Sequence, residues 1–114
     1  MSKERIIRAL KGLGFTNSDT QVYVFLEKEG PQKTREIAIA LNLDERKVHT
    51  SVRELQSISI IKASIENPLE FVAVPFEEVI DLFIEVKNEQ AKTMQENKEE
   101  LLSSWKTVMK KNSS

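Results

Sequence analysis

Cysteine is absent from the 114 residues, which removes disulfide stapling, thiolate metal ligation and thiol redox sensing together. Histidine occurs once, as His49, with no acidic cluster at ligand spacing beside it, so no metal site is expected. No Gly-rich element is present to shape a pocket around Asp44, Glu54 or the serines, which fall on helical surfaces. Ser/His/Asp catalysis, enzymatic activity and a bound cofactor are therefore not expected. No apolar run approaches the roughly 18 residues of a membrane span, and residues 1–14 form a charged amphipathic stretch without a signal-peptide core. The expected location is the cytoplasm, with no membrane partner.

What remains is one domain's worth of chain, 39% hydrophobic and 31% charged, the balance of an ordinary globular protein. The net charge of -1 gives no nucleic-acid signal by itself, but its distribution is uneven. Residues 33–62 carry a net +2 and residues 76–114 a net -2.

Ile6, Ile7, Leu10 and Leu13 recur at helical spacing and stop at Gly12 and Gly14, giving a first helix. Thr16 with Asp19 three residues later resembles a capping box; Val22, Tyr23, Phe25 and Leu26 form the apolar face of the helix that follows, which Gly30-Pro31 ends. Thr34 is the expected cap of a short third helix carrying Ile37, Ala38 and Leu41, closed at Asn42, a residue that tolerates the left-handed conformation. Asp44 caps a fourth helix over about 45–57 that buries Val48, Val52 and Leu55 and leaves Arg46, Lys47, His49, Thr50 and Arg53 outside. Ile60–Ile65 and Leu69–Val74, separated by Glu66-Asn67-Pro68, read as a two-stranded hairpin. From Phe76 to Lys111 there is neither Gly nor Pro, so one helix of about 50 Å is expected, with 112–114 as a disordered tail.

The order helix, helix, short helix, tight turn, helix, hairpin, long helix predicts a mainly α protein with a small β-hairpin wing. It is a winged helix-turn-helix over 1–75 with a long C-terminal dimerisation helix over 76–111. Ala38, then Asn42 four residues on, then Val48 six further, has the spacing of a helix-turn-helix. Double-stranded DNA is the partner this arrangement implies. Arg46, Lys47, His49, Thr50 and Arg53 are the candidates for base edges or phosphates. Lys33, Thr34 and Arg35 open the third helix, where N–H groups and positive charge suit a phosphate; Lys62 and Asn67 are the wing candidates.

At these residues the sequence also resembles a family. Leu13-Gly14-Phe15-Thr16, Val22-Tyr23-Val24-Phe25-Leu26, Gly30, Ile37-Ala38, Val48, Val52-Arg53-Glu54-Leu55 and Pro68, Phe71, Val74-Pro75-Phe76-Glu77-Glu78 are similar to the N-terminal winged-helix domain of the TrmB family of archaeal sugar-responsive transcriptional regulators. The resemblance covers about residues 8–82 and implies the same fold and DNA binding. Family members usually place an acidic residue and Ala where Gln21-Val22 stand here, and often a Tyr in place of His49, which leaves the target sequence open. Full-length members carry a C-terminal sugar-binding domain; this chain ends after a helix, so sugar sensing is not carried over and an effector is not identified.

A single helix cannot shield its own apolar residues, and the seam Phe83, Lys87, Gln90, Met94, Asn97, Leu101, Trp105, Val108 is heptad-like though polar in three places. Phe83, Met94, Leu101, Trp105 and Val108 are therefore expected to pair in a homodimer, in parallel or antiparallel sense. Three functions compete: a sequence-specific regulator, a nucleoid protein with little sequence preference, and a winged helix that binds another protein. The basic outer face of the fourth helix favours the first two, and the modest net charge weighs against the second.

Overall fold

A computed structural model of the protein describes residues 2–110. Lys111, the last residue of the expected long helix, and the expected 112–114 tail lie outside the described residues. In chain order the elements are α1 (Ser2–Gly12), α2 (Asn17–Glu29), β1 (Gln32–Lys33), α3 (Thr34–Leu41), α4 (Glu45–Ser57), β2 (Ile61–Ala63), β3 (Glu70–Ala73), α5 (Phe76–Glu96) and α6 (Lys98–Met109). The chain divides into two compact units, one up to Val79 and one from Ile80 onward, the boundary falling inside α5.

The first unit is a winged helix. The capping box forms as its sequence implies: the Asp19 N–H donates to Thr16 Oγ1 at 3.0 Å, and the Thr16 N–H donates to Asp19 Oδ2 at 3.2 Å. Leu10, Val22, Tyr23, Leu26, Ile37, Val48, Leu55, Ile60, Ile61 and Val79 are all 1% exposed or less. Phe25 departs from expectation: it is only half-buried, because Val22, Tyr23 and Leu26 already occupy the inward side of α2.

Three helices of this unit end in the same way. Phe15, Leu43 and Ile60 each donate an N–H to a carbonyl five residues back, on Leu10, Ala38 and Leu55, at 3.1, 3.0 and 2.8 Å. The residue just before each donor has positive φ: Gly14 at 103°, Asn42 at 54° and Ser59 at 65°. This is a Schellman closure, in which a left-handed residue turns the chain and an apolar residue tucks back over the last turn. Asn42, with ψ 47°, adopts the left-handed form its side chain tolerates; Ser59 does the same with no such sequence signal.

The wing is larger than a hairpin. Strands β2 and β3 pair antiparallel with Lys62 opposite Val72, and β1 adds to the free edge of β3 with Gln32 opposite Phe71 and Lys33 opposite Glu70, giving the order β1-β3-β2. That third strand corrects the expected start of α3. Extended backbone runs through Lys33, so Thr34 is the first helical residue and not the cap; Glu36 Oε1 accepts the Lys33 N–H at 2.8 Å. Where the wing joins α5, two residues one turn apart on α2 hold the crossing. Tyr23 Oη donates to the Val74 carbonyl at 2.7 Å, and Glu27 Oε1 accepts the Phe76 N–H at 3.2 Å.

The second unit differs from the expectation of one unbroken helix. At Asn97 the backbone sits at φ -101°, ψ 9°, in the sparsely allowed bridge region, and separates α5 from α6. Helical bonding nevertheless runs up to and away from it, Asn97 N–H to the Thr93 carbonyl at 3.1 Å and Leu101 N–H to the Asn97 carbonyl at 2.9 Å. Asn has low helix propensity, and the exposed side chain of Asn97 gains little from packing that would hold it in helical geometry. No helix among the described residues is long and apolar enough to cross a membrane.

Candidate nucleic-acid interface

Residues α3, Asn42-Leu43-Asp44 and α4 form a helix-turn-helix whose geometry follows from small side chains and caps. Ala38, 7% exposed, lets α3 approach α4, and Val48, fully buried, packs back from α4. Asp44 Oδ1 accepts the Arg46 N–H at 3.0 Å and starts α4. Val48, Ser51, Val52 and Leu55 take its inward side, so the opposite side is committed to solvent.

On that solvent side Arg46, His49, Thr50 and Arg53 line one shallow groove, together with Glu54. Among the described residues neither Arg46 nor Arg53 forms an ion pair; His49 Nε2 lies 3.8 Å from Glu45 Oε2 and 3.5 Å from Thr34 Oγ1. His49 therefore ties the start of α3 to the first turn of α4. The Thr50 hydroxyl donates to the Arg46 carbonyl at 3.0 Å, so toward a base edge it offers its methyl and its two acceptor lone pairs. Glu54, expected only as a surface residue, joins the rim of the same groove.

The other candidates are dispersed. Lys47 turns away from this groove and lines a second one, beside residues of α1 and α2. Lys33 and Arg35 are exposed and Thr34 is half-buried. The Glu36 carboxylate already occupies the Lys33 N–H, so this amide is closed to a phosphate. On the wing, Lys62 is exposed on β2. Asn67 is used within the turn, its Oδ1 accepting the Leu69 N–H at 3.1 Å and its carbonyl the Glu70 N–H at 2.9 Å. Glu66 and Glu70 flank that turn, and Ile65 stands 99% exposed at its tip, a chemistry unlike a phosphate clamp.

In the second unit Met94, Leu101, Trp105 and Val108 are 65, 52, 59 and 70% exposed, whereas Phe83 is half-buried. A groove spans the Asn97 break on one face, between Glu89 and Ser104, and includes Met94 and Leu101. Among the described residues no three potential metal ligands converge.

A family model described as sugar-specific transcriptional regulator TrmB matches residues 10–77. A Methanocaldococcus jannaschii protein named as uncharacterized protein MJ1503 is 30% identical over 94 residues, covering 77% of this chain and 71% of that one. Among solved structures, the archaeal chromatin protein TrmBL2, whose structure is described as showing a novel mode of DNA binding, is similar with a TM-score of 0.68 at 20% identity. That match covers 97% of this chain and 45% of TrmBL2, so the present chain spans under half of that protein's length. The transcriptional regulator Tm0710 from Thermotoga maritima is similar at a TM-score of 0.53 and 21% identity, over 89% of this chain and 78% of that one. MarR follows at 0.50 and 18%, over 92% and 82%. The chain belongs to the TrmB family.

Proposed function

We propose that this TrmB-family winged helix is a transcriptional regulator that binds double-stranded DNA as a homodimer, acts in the cytoplasm on the nucleoid, and catalyses no reaction. The observation that carries the reading is the outer face of α4, where Arg46 and Arg53 stand exposed beside His49 and Thr50 and, among the described residues, form no ion pair. Two arginines two helical turns apart on one face can reach guanine edges in a major groove, and with no ion pair to break among the described residues they do so without that cost. Residues 1–75 act as the DNA-binding domain. Helices α5 and α6 act as the dimerisation segment, and the exposed Met94, Leu101, Trp105 and Val108 support pairing because large apolar side chains in water favour a partner. Two linked domains then engage successive grooves with a gain from effective concentration.

A second reading is favoured by one finding: TrmBL2, with which the fold is shared, is a chromatin protein. Here the same face would bind duplexes with little sequence preference. Selection from random duplexes, followed by titration of selected and random DNA at two salt concentrations, separates the readings. A large preference for selected DNA supports regulation, while equal, steeply salt-dependent binding supports the chromatin role. No binding to any duplex overturns both and leaves a protein-interaction module.

A further inference from the structure

The groove that takes Lys47 is built from sequence features the DNA reading leaves unused. On α1, Lys3, Ile7 and Lys11 recur every fourth residue; on α2, Gln21, Val24, Phe25 and Lys28 recur at steps of three, one and three. Each series is a helical stripe with an apolar centre, basic at both ends on α1 and at one end on α2, and neither belongs to the core. Ile7, Val24, Phe25, Leu41 and Leu43 are each half-buried, and together they line a half-open cavity of about 690 Å³ in the first unit. That size lies within the roughly 300–1,000 Å³ of small-molecule sites.

The rim is mainly basic. Among the described residues Lys3, Lys11, Lys28 and Lys47 surround the apolar side chains against a single acid, Glu29, and none of the four lysines forms an ion pair. Like charges gathered over apolar side chains repel one another, and an anion with an apolar body relieves both the repulsion and the wetted floor. A phosphate backbone matches only the rim, since nothing in it covers Ile7, Val24 and Phe25.

We infer that this groove is a binding site for a small anionic amphiphile, an organic carboxylate or phosphate ester with an aliphatic or aromatic body. The inference stands apart from the DNA reading and needs only the fold. The test is titration of the nitrogen-15-labelled full chain with decanoate, with decyltrimethylammonium as the cation of equal chain length, following backbone amide shifts. Decanoate is expected to move the amides of Ile7, Phe25 and Leu43 saturably and to bind about tenfold more tightly than the cation. Lys11→Glu with Lys28→Glu is expected to cost about tenfold or more in decanoate affinity. The double Lys→Gln variant, which removes charge without reversing it, serves if the reversal perturbs folding. The proposal is overturned by equal affinity for anion and cation, by shifts confined to residues 80–110, or by amides that answer an acidic amphipathic peptide and not decanoate. It also fails if duplex DNA moves these same amides and displaces decanoate. Because the amphiphile titration contains no DNA, loss of duplex binding and loss of amphiphile binding are read separately.

Discussion

The two units of this chain treat apolar residues in opposite ways. In the winged helix, Leu10, Leu26, Ile37, Leu55 and Ile60 vanish from solvent; from Ile84 to Met109, every described residue is exposed, Leu101, Leu102, Trp105 and Val108 included. Several elements folding on one another can enclose a volume, whereas a helix followed by a second helix encloses nothing by itself. The first unit therefore carries its stability within one chain. The second carries apolar surface of the kind that interfaces use.

The contrast breaks most visibly through the core. Leu55→Ala is expected to destabilise the first unit by about 2–5 kcal/mol, read from a urea transition, because a side chain only 1% exposed leaves a cavity on truncation. Leu101→Ala at low protein concentration is expected to leave the same transition in place; an equal loss would show that the two units share one core. Trp105→Ala comes next, costing about 2 kcal/mol or more in self-association and moving sedimentation toward monomer. As Trp105 is the sole tryptophan and 59% exposed, its emission in the parent protein is expected to shift to the blue as concentration rises. Constant emission across concentrations would remove it from the interface.

For the outer face of α4, Arg53→Ala is expected to weaken duplex binding by about 1–3 kcal/mol with the melting temperature unchanged, and unchanged affinity would remove it from the site. Tyr23 sharpens the contrast from the buried side. Burial, and secondly the nearby Glu27 carboxylate, push its phenol well above the usual tyrosine range. The shift is upward, so the stabilisation it represents is complete below about pH 10, the unfolded value, and is lost as pH rises beyond it. Tyr23 is the sole tyrosine, so ultraviolet titration is expected to show no phenolate in the folded protein at pH 10 and half-ionisation there in urea. The smallest effect is at Ser59: glycine accepts φ 65° without strain, and Ser59→Gly is expected to stabilise by under about 1 kcal/mol in a thermal melt.

Much of the winged helix was legible because its signals are local. Thr16 and Asp19 bond as their spacing implies, Asn42 turns left-handed, and Pro75 precedes α5. Strand β1 was not legible, since Gln32 and Lys33 have no β-branched or aromatic character; they are extended because the edge of β3 offers them hydrogen bonds. Thr34 lost its capping place for the same reason. The break at Asn97 escaped because the absence of Gly and Pro reads as continuity, while an exposed polar residue has little to hold it helical. In the candidate interface, helical periodicity shows Arg46, His49, Thr50 and Arg53 on one face. It does not show that α1 and α2 draw Lys47 into a different groove.

Periodicity, caps and turn residues along the chain determined where the helices of the winged unit lie and which side of α4 turns outward, because those are contests among residues at most a few positions apart. The tertiary structure alone decided that a third strand joins the wing and that Lys3, Lys11, Lys28 and Lys47 ring one apolar floor. Each of those brings together groups from separate elements, and their meeting depends on how whole helices and strands pack.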